Sequence, residues 1–274
     1  MRKIFAPLRE KHKQLQEKTI IYKNINISYT DSGKGNVIVL LHGFLENQSM
    51  WQDIISVLTK KNRVITIDLL GHGKTENLSY VHSMSDQAKM IKSVLDSLRL
   101  RRYYLIGHSL GGYISLAFTE LYPKNTKGIC LMNSTAKPDA SERKQNRDRA
   151  IAMVKRNKDT FIKMAIPNLF TQESRINFKK EIDVIKTDAL KTSIQGVIAS
   201  LEGMKNRKDR TFILQNIEFK KMLIIGKKDP LLNRDELINQ VKNTNTEIVE
   251  FSTGHMSHIE NKKELITTLL NFVK

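Results

Sequence analysis

The sequence predicts an α/β fold, a mainly parallel sheet with helices on both faces, from three observations. Short, almost wholly apolar runs recur along the chain, segments of helical periodicity separate them, and one long helical stretch late in the chain interrupts the alternation. Apolar runs without polar alternation are what strands covered on both faces require. Their regular exchange with helices implies parallel strands joined by crossovers.

Taken in order, residues 19–29 alternate loosely and lead into the turn-rich Asp31-Ser32-Gly33-Lys34-Gly35, so a hairpin into a strand at 36–41 follows. Similar buried runs occupy 63–68, 103–107, 127–132 and 221–226, and residues 246–251 read as a last strand. Met84, Ala88, Ile91, Val94, Leu95 and Leu98 fall on one helical stripe, with Ser83 or Ser85 as its cap. Residues 109–121 form a second helix that stops near Pro123, and 237–241 and 264–273 suggest two more. From 136 to 215 there is no strand pattern, only helical text. Because this stretch begins at a strand's carboxyl end, it is expected to cap the sheet edge at which open α/β sheets bind ligands. The domain organisation is then a basic extension at 1–18, a core made of 19–135 and 216–274, and a helical cap at 136–215.

A chain of 274 residues, 40% hydrophobic and 27% charged, has an ordinary composition for a soluble globular protein. Cys130 is the only cysteine, which excludes an intramolecular disulfide and a cysteine-based metal cluster; its apolar neighbours make it a core residue. The first eighteen residues lack the apolar stretch of a secretory signal, and no run is long enough to span a membrane, so the cytoplasm is the expected compartment. The net charge of +18 is spread along the chain, with 18 basic against 10 acidic residues in 136–215 and six against two in 1–18. No recognition helix, zinc finger or RNA-binding signature accompanies it, so no nucleic-acid partner is expected. Ile4, Phe5, Leu8 and Leu15 give the N-terminus a ragged apolar side, compatible with a weak contact to anionic membrane.

The chemistry centres on Gly107-His108-Ser109-Leu110-Gly111-Gly112, which follows a strand and opens a helix. There, a G-x-S-x-G pattern lets small glycines make the tight turn that projects a serine hydroxyl from the sheet edge. The amide of Leu110, at the helix N-terminus, is aimed at a reacting carbonyl. A serine needs a base and the base needs an orienting acid. Of seven histidines, His255 sits in a flexible loop after the last strand and is the candidate base, while His258 is expected to pack beneath it. The neighbouring His108 should point away from the hydroxyl. Asp229, at the end of the strand at 221–226 and stiffened by Pro230, is the candidate acid, with Asp139 in reserve. The chain order serine, acid, histidine is the one found in this kind of fold.

At this point the sequence resembles the α/β-hydrolase superfamily, from about Thr19 to the C-terminus. The resemblance rests on Leu41-His42-Gly43-Phe44, the segment from Asp68 to Lys74, the run around Ser109, Gly226-Lys227-Lys228-Asp229-Pro230 and the segment from Gly254 to Asn261, in that order. It implies an oxyanion hole from the Phe44 and Leu110 amides and a cap inserted after the sixth strand. Serine at position 109 disfavours dehalogenase and epoxide-hydrolase chemistry, which use aspartate there. Tyr113 stands where the menaquinone-pathway lyase has arginine, and Leu45-Glu46-Asn47 lacks the extra glycine of carbon–carbon bond hydrolases. The expected activity is hydrolysis of a carboxylic ester, lactone or thioester of a small to medium, partly apolar molecule, without metal or organic cofactor. A lyase, acyltransferase or perhydrolase using the same triad, or a slow ligand-sensing module, is the alternative. Trp51, Tyr113, Met153, Met164 and Phe170 are the candidate substrate contacts.

Overall fold

The computed structural model describes residues 16–216 and 219–274. Residues 1–15, which carry most of the expected N-terminal extension and its membrane contact, lie outside them. Among the described residues, eight strands form one sheet: β1 (Glu17–Tyr22), β2 (Ile25–Gly33), β3 (Asn36–Leu41), β4 (Asn62–Ile67), β5 (Tyr103–His108), β6 (Thr126–Met132), β7 (Lys220–Gly226) and β8 (Glu247–Phe251). Their order is β1-β2-β4-β3-β5-β6-β7-β8. The β1–β2 and β2–β4 pairs are antiparallel and the rest parallel. The hairpin expected to lead into 36–41 does not form, because β2 pairs with β4 and not with β3; the tight turn lies earlier, within 19–29, between β1 and β2. Lys23 and Asn24 both have positive φ, at 48° and 66°, the arrangement whose twist matches a tight hairpin.

The parallel strands alternate their side chains between two cores. On one face, Val39, Leu105, Ile129 and Leu223 pack with α2 (Met84–Ser97) and α3 (Leu110–Leu121). On the other, Ile38, Ile106, Cys130 and Ile224 pack with α1 (Gln52–Leu58) and with a C-terminal helix, Lys262–Phe272. Cys130 is fully buried and burial pushes its thiol pKa up, which suits a core residue. Ser83 caps α2 by accepting from the Asp86 amide.

Between β6 and β7 come α4 (Ser141–Ala165), α5 (Gln172–Asn177), α6 (Lys179–Ala189), α7 (Ile194–Lys205) and α8 (Thr211–Asn216). This is the helical insertion after the sixth strand. Asn157 leaves helical geometry within α4, and its side chain accepts from the Thr160 amide, starting the second half of that helix afresh. After β7 follow α9 (Arg234–Asn239), α10 (Ser257–Glu260) and α11 (Lys262–Phe272). No helix among the described residues is long and apolar enough to cross a membrane. In register, Leu41 pairs with Gly107, Gly107 with Leu131, Leu131 with Leu223, and Gly226 with Phe251. The carboxyl ends of five strands therefore finish side by side, and the loops that leave them meet along one edge.

Candidate active site

The turn from β5 to α3 holds Ser109 at φ 48°, ψ −110°, a conformation that a non-glycine residue keeps only when its surroundings enforce it. They do so through backbone contact. A Cβ on Gly107 would come within 2.3 Å of the Gly111 carbonyl, and one on Gly111 within 2.3 Å of the Leu41 oxygen. The Ser109 amide donates to the Met132 carbonyl at 2.9 Å, and the Ser134 hydroxyl to the Ser109 carbonyl at 2.7 Å. Leu110 is the first residue of α3, so its amide lacks an intrahelical acceptor. Neither it nor the Phe44 amide makes a turn or loop hydrogen bond to backbone among the described residues. The glycine contact at Leu41 keeps the start of α3 against the end of β3, beside the loop that carries Phe44.

His255 follows β8 and Asp229 follows β7. The imidazole donates from Nδ1 to Asp229 Oδ2 at 2.7 Å, with both side chains buried. The other oxygen, Oδ1, accepts from the amides of Leu231 and Leu232. Burial works to raise the Asp229 pKa, but His255 and these donors outweigh it and hold it below the ordinary value. With Nδ1 carrying the proton, Nε2 is left as an acceptor. Asn133, directly after β6, ties the arrangement together. Its amide nitrogen donates to Asp229 Oδ2 at 3.2 Å and to the Gly254 carbonyl at 3.1 Å, and its oxygen accepts from the Ser257 hydroxyl at 2.6 Å.

A second buried pair underlies the histidine loop. His108 donates from Nδ1 to Glu46 Oε2 at 2.7 Å and from Nε2 to the His255 carbonyl at 3.0 Å. A carbonyl only accepts, and burial, which would raise the Glu46 pKa, is overcome by His108, His258 and His42 so that it falls to about 2. Both ring nitrogens of His108 therefore donate, and the ring is an imidazolium. Burial opposes this charge and Glu46 overrides it, raising the His108 pKa. His108 thus turns away from the hydroxyl, as expected, and takes hold of the backbone of His255. His258, pushed down to about 4 by burial, is neutral beneath the loop. Glu46, His108 and His258 bring ligand atoms within 4.8 Å of one another. With both His108 nitrogens donating, that ring has no lone pair to offer an ion. His42 accepts from the Leu69 amide through Nε2 and donates to the Gly43 carbonyl, bracing the loop before Phe44.

Ser109 and His255 line a small cleft of about 80 Å³ together with Phe44, Tyr113, Arg143 and Arg147. Ile166, Leu169 and Met204 close it from the inserted helices, and the His255 amide donates to the Leu169 carbonyl at 3.3 Å. Of the candidate substrate contacts, Tyr113 alone is among the lining residues. Trp51 is fully buried in the core on the opposite face of the sheet, beside Ile38 and Leu40, because its turn leads into α1 rather than over the edge. Phe170 is buried in the core shared by the inserted helices and the sheet. Met153 is half-buried away from the cleft, and Met164 is 55% exposed on the outer side of α4. Asp139 does not approach His255; it is ion-paired with Arg143, Arg147 and Arg207.

Residues 36–178 match the model of the α/β hydrolase fold family. Among curated proteins, a 2-hydroxy-6-oxononadienedioate/2-hydroxy-6-oxononatrienedioate hydrolase of Escherichia coli O81 is 36% identical over 116 residues, 40% of this chain and 40% of that protein. The protein of the same name from Paraburkholderia phymatum is 34% identical over 114 residues, 39% of this chain and 40% of its own length. The match thus spans about two fifths of these relatives. Among solved structures, a thermophilic esterase from Thermogutta terrifontis superposes with a TM-score of 0.86 at 26% identity, covering 94% of this chain and 98% of that one. The enol-lactonase from Burkholderia xenovorans LB400 superposes at 0.85 with 20% identity, covering 93% and 99%.

Proposed function

The chain belongs to the α/β-hydrolase fold family, and on that premise we propose that it is a serine hydrolase acting on a carboxylic ester, or a related lactone or thioester, through an acyl-enzyme on Ser109. The observation that carries this reading is the hydrogen bond from His255 Nδ1 to Asp229, made by a histidine that lines the same cleft as Ser109. It leaves Nε2 as the base. In the mechanism, Nε2 takes the Ser109 proton as Oγ attacks the carbonyl carbon. The amides of Leu110 and Phe44 receive the oxyanion, a contribution of roughly 3–4 kcal/mol per donor in comparable sites. His255 then returns the proton to the departing alcohol. Water, deprotonated by the same nitrogen, attacks the acyl-enzyme and releases the acid, restoring Ser109.

The test is a series of aryl esters of rising acyl length, turned over by the wild type and by Ser109→Ala. A rate in the variant equal to that of the wild type overturns the reading. The smallness of the cleft, about 80 Å³, favours an optimum at short acyl groups. The curated relatives favour a second reading, in which the substrate is an oxo-dioate of the kind in their names. Turnover of such a compound, with no turnover of any ester, would put it in place of the first.

A further inference from the structure

The inserted helices bring more positive charge to the cleft than the cleft itself neutralises. Arg143 and Arg147, from α4, both line it beside Ser109. Arg207, just after α7, lies with its guanidinium 4.1 Å from the centre of the Tyr113 ring, and Tyr113 also lines the cleft. One carboxylate serves all three. Asp139, whose side chain is fully buried, accepts from Arg147 Nε at 2.8 Å, and it lies 2.6 Å from Arg207 Nη1 and 3.3 Å from Arg143 Nε. Burial works to raise the pKa of this carboxyl and the arginines override it, so Asp139 is ionised.

The other charges facing the cleft cancel or are already engaged. Glu46 is matched by His108, and Asp229 is held by His255 and two backbone amides. Arg207 also donates to the Lys137 and Met204 carbonyls, and Arg143 Nη1 donates to the Leu231 carbonyl at 2.8 Å. Among the described residues, no protein acceptor meets the terminal nitrogens of Arg147 or Arg143 Nη2. Arg147 is the more enclosed of the two, its side chain 14% exposed against 35% for Arg143, and the group that fits an open guanidinium face is a planar anion accepting two parallel hydrogen bonds. The cleft is small, about 80 Å³, and both arginines line it together with Ser109.

We propose that Arg143 and Arg147 bind a carboxylate on the acyl side of the substrate, so that the enzyme selects short half-esters of dicarboxylic acids. This rests on the hydrolase reading of Ser109, and the test separates the two. Binding of monomethyl succinate and of its uncharged isostere, methyl 4-methylpentanoate, is measured by calorimetry on the Ser109→Ala protein, where no turnover intervenes. The half-ester should bind at least about tenfold more tightly, as expected for hydrogen bonds to a charged group. That preference should vanish when Arg147→Met or Arg143→Met is added. Arg147→Lys, which keeps a charge beside Asp139, guards against a folding defect and should reduce the preference by removing the forked contact. Equal binding of the two esters, or a preference that survives both arginine replacements, overturns the proposal. A binding preference that depends on the arginines, in a wild-type protein that hydrolyses neither these esters nor any of the aryl esters, supports the anion site and overturns the hydrolase reading instead.

Discussion

Replacing Glu46 by glutamine keeps an acceptor for the Gly43 amide but removes the charge facing His108. A carboxyl held at about 2 rather than the ordinary 4.5 corresponds to roughly 3 kcal/mol of stability at neutral pH. That agrees with the roughly 3–5 kcal/mol lost when one member of a buried ion pair is removed. The lowered Glu46 pKa and the raised His108 pKa are one interaction seen from its two ends, so it counts once. Glu46 contributes fully above 4.5, and its contribution fades as the pH falls through about 2. His108 contributes fully below 6.5, and its part is lost as the pH rises through its raised folded value. The penalty of Glu46→Gln should therefore be greatest between these ordinary values. Urea unfolding at about pH 6 should show a loss of about 3 kcal/mol, or roughly 6–12 °C in Tm for a chain of this size. The loss should shrink toward alkaline pH. A penalty below about 1 kcal/mol, the level of an exposed pair, or one that grows steadily with pH, would refute the imidazolium assignment.

Two further substitutions examine the proposed triad. In Asp229→Asn, the side-chain amide favours the opposite histidine tautomer, with the proton on Nε2, and kcat for an ester substrate should fall by roughly 10⁴-fold. Steady-state kinetics showing less than a tenfold loss would remove Asp229 from the acid's position. Ser109→Gly relieves a side chain held at φ 48°, so it should abolish turnover while raising unfolding stability by about 1 kcal/mol, net of the glycine's greater unfolded-state entropy. Equilibrium denaturation that shows the variant less stable than wild type would mean that the turn is not strained.

The parts legible in the sequence are those whose neighbours along the chain define them. Ser109 lies between a strand and a helix with glycines on both sides. Asp229 and His255 each follow an apolar run, so the shared edge of a parallel sheet is enough to bring them together. Contacts made across the sheet leave no such trace. Glu46 and His108 are 62 residues apart and meet because β3 and β5 are neighbours, a pairing that neither segment encodes alone. Asp139 reads as a spare acid until three arginines, one of them 68 positions further on, are seen around it. The core position of Trp51 is hidden for a related reason. A large aromatic near a strand end suits either a pocket or a core, and only the chain's turn into α1 decides which face receives it. The hairpin at Lys23 and Asn24 is illegible because the loose alternation on either side reads as one strand.

Asn133 has a consequence for how such a chain can diversify. It is the first residue past β6 and stands at the doorway through which the chain leaves for the inserted helices. Its amide is bonded to the Ile224 carbonyl of β7, and its side chain reaches Asp229, Gly254 and Ser257. The doorway is thus bolted to the far bank before the excursion begins. Whatever length or content the excursion acquires, the acid and the histidine loop stay registered to the sheet. The inserted helices thus hang from an anchored point, and a change within them leaves the Asn133 bonds to Asp229, Gly254 and Ser257 in place.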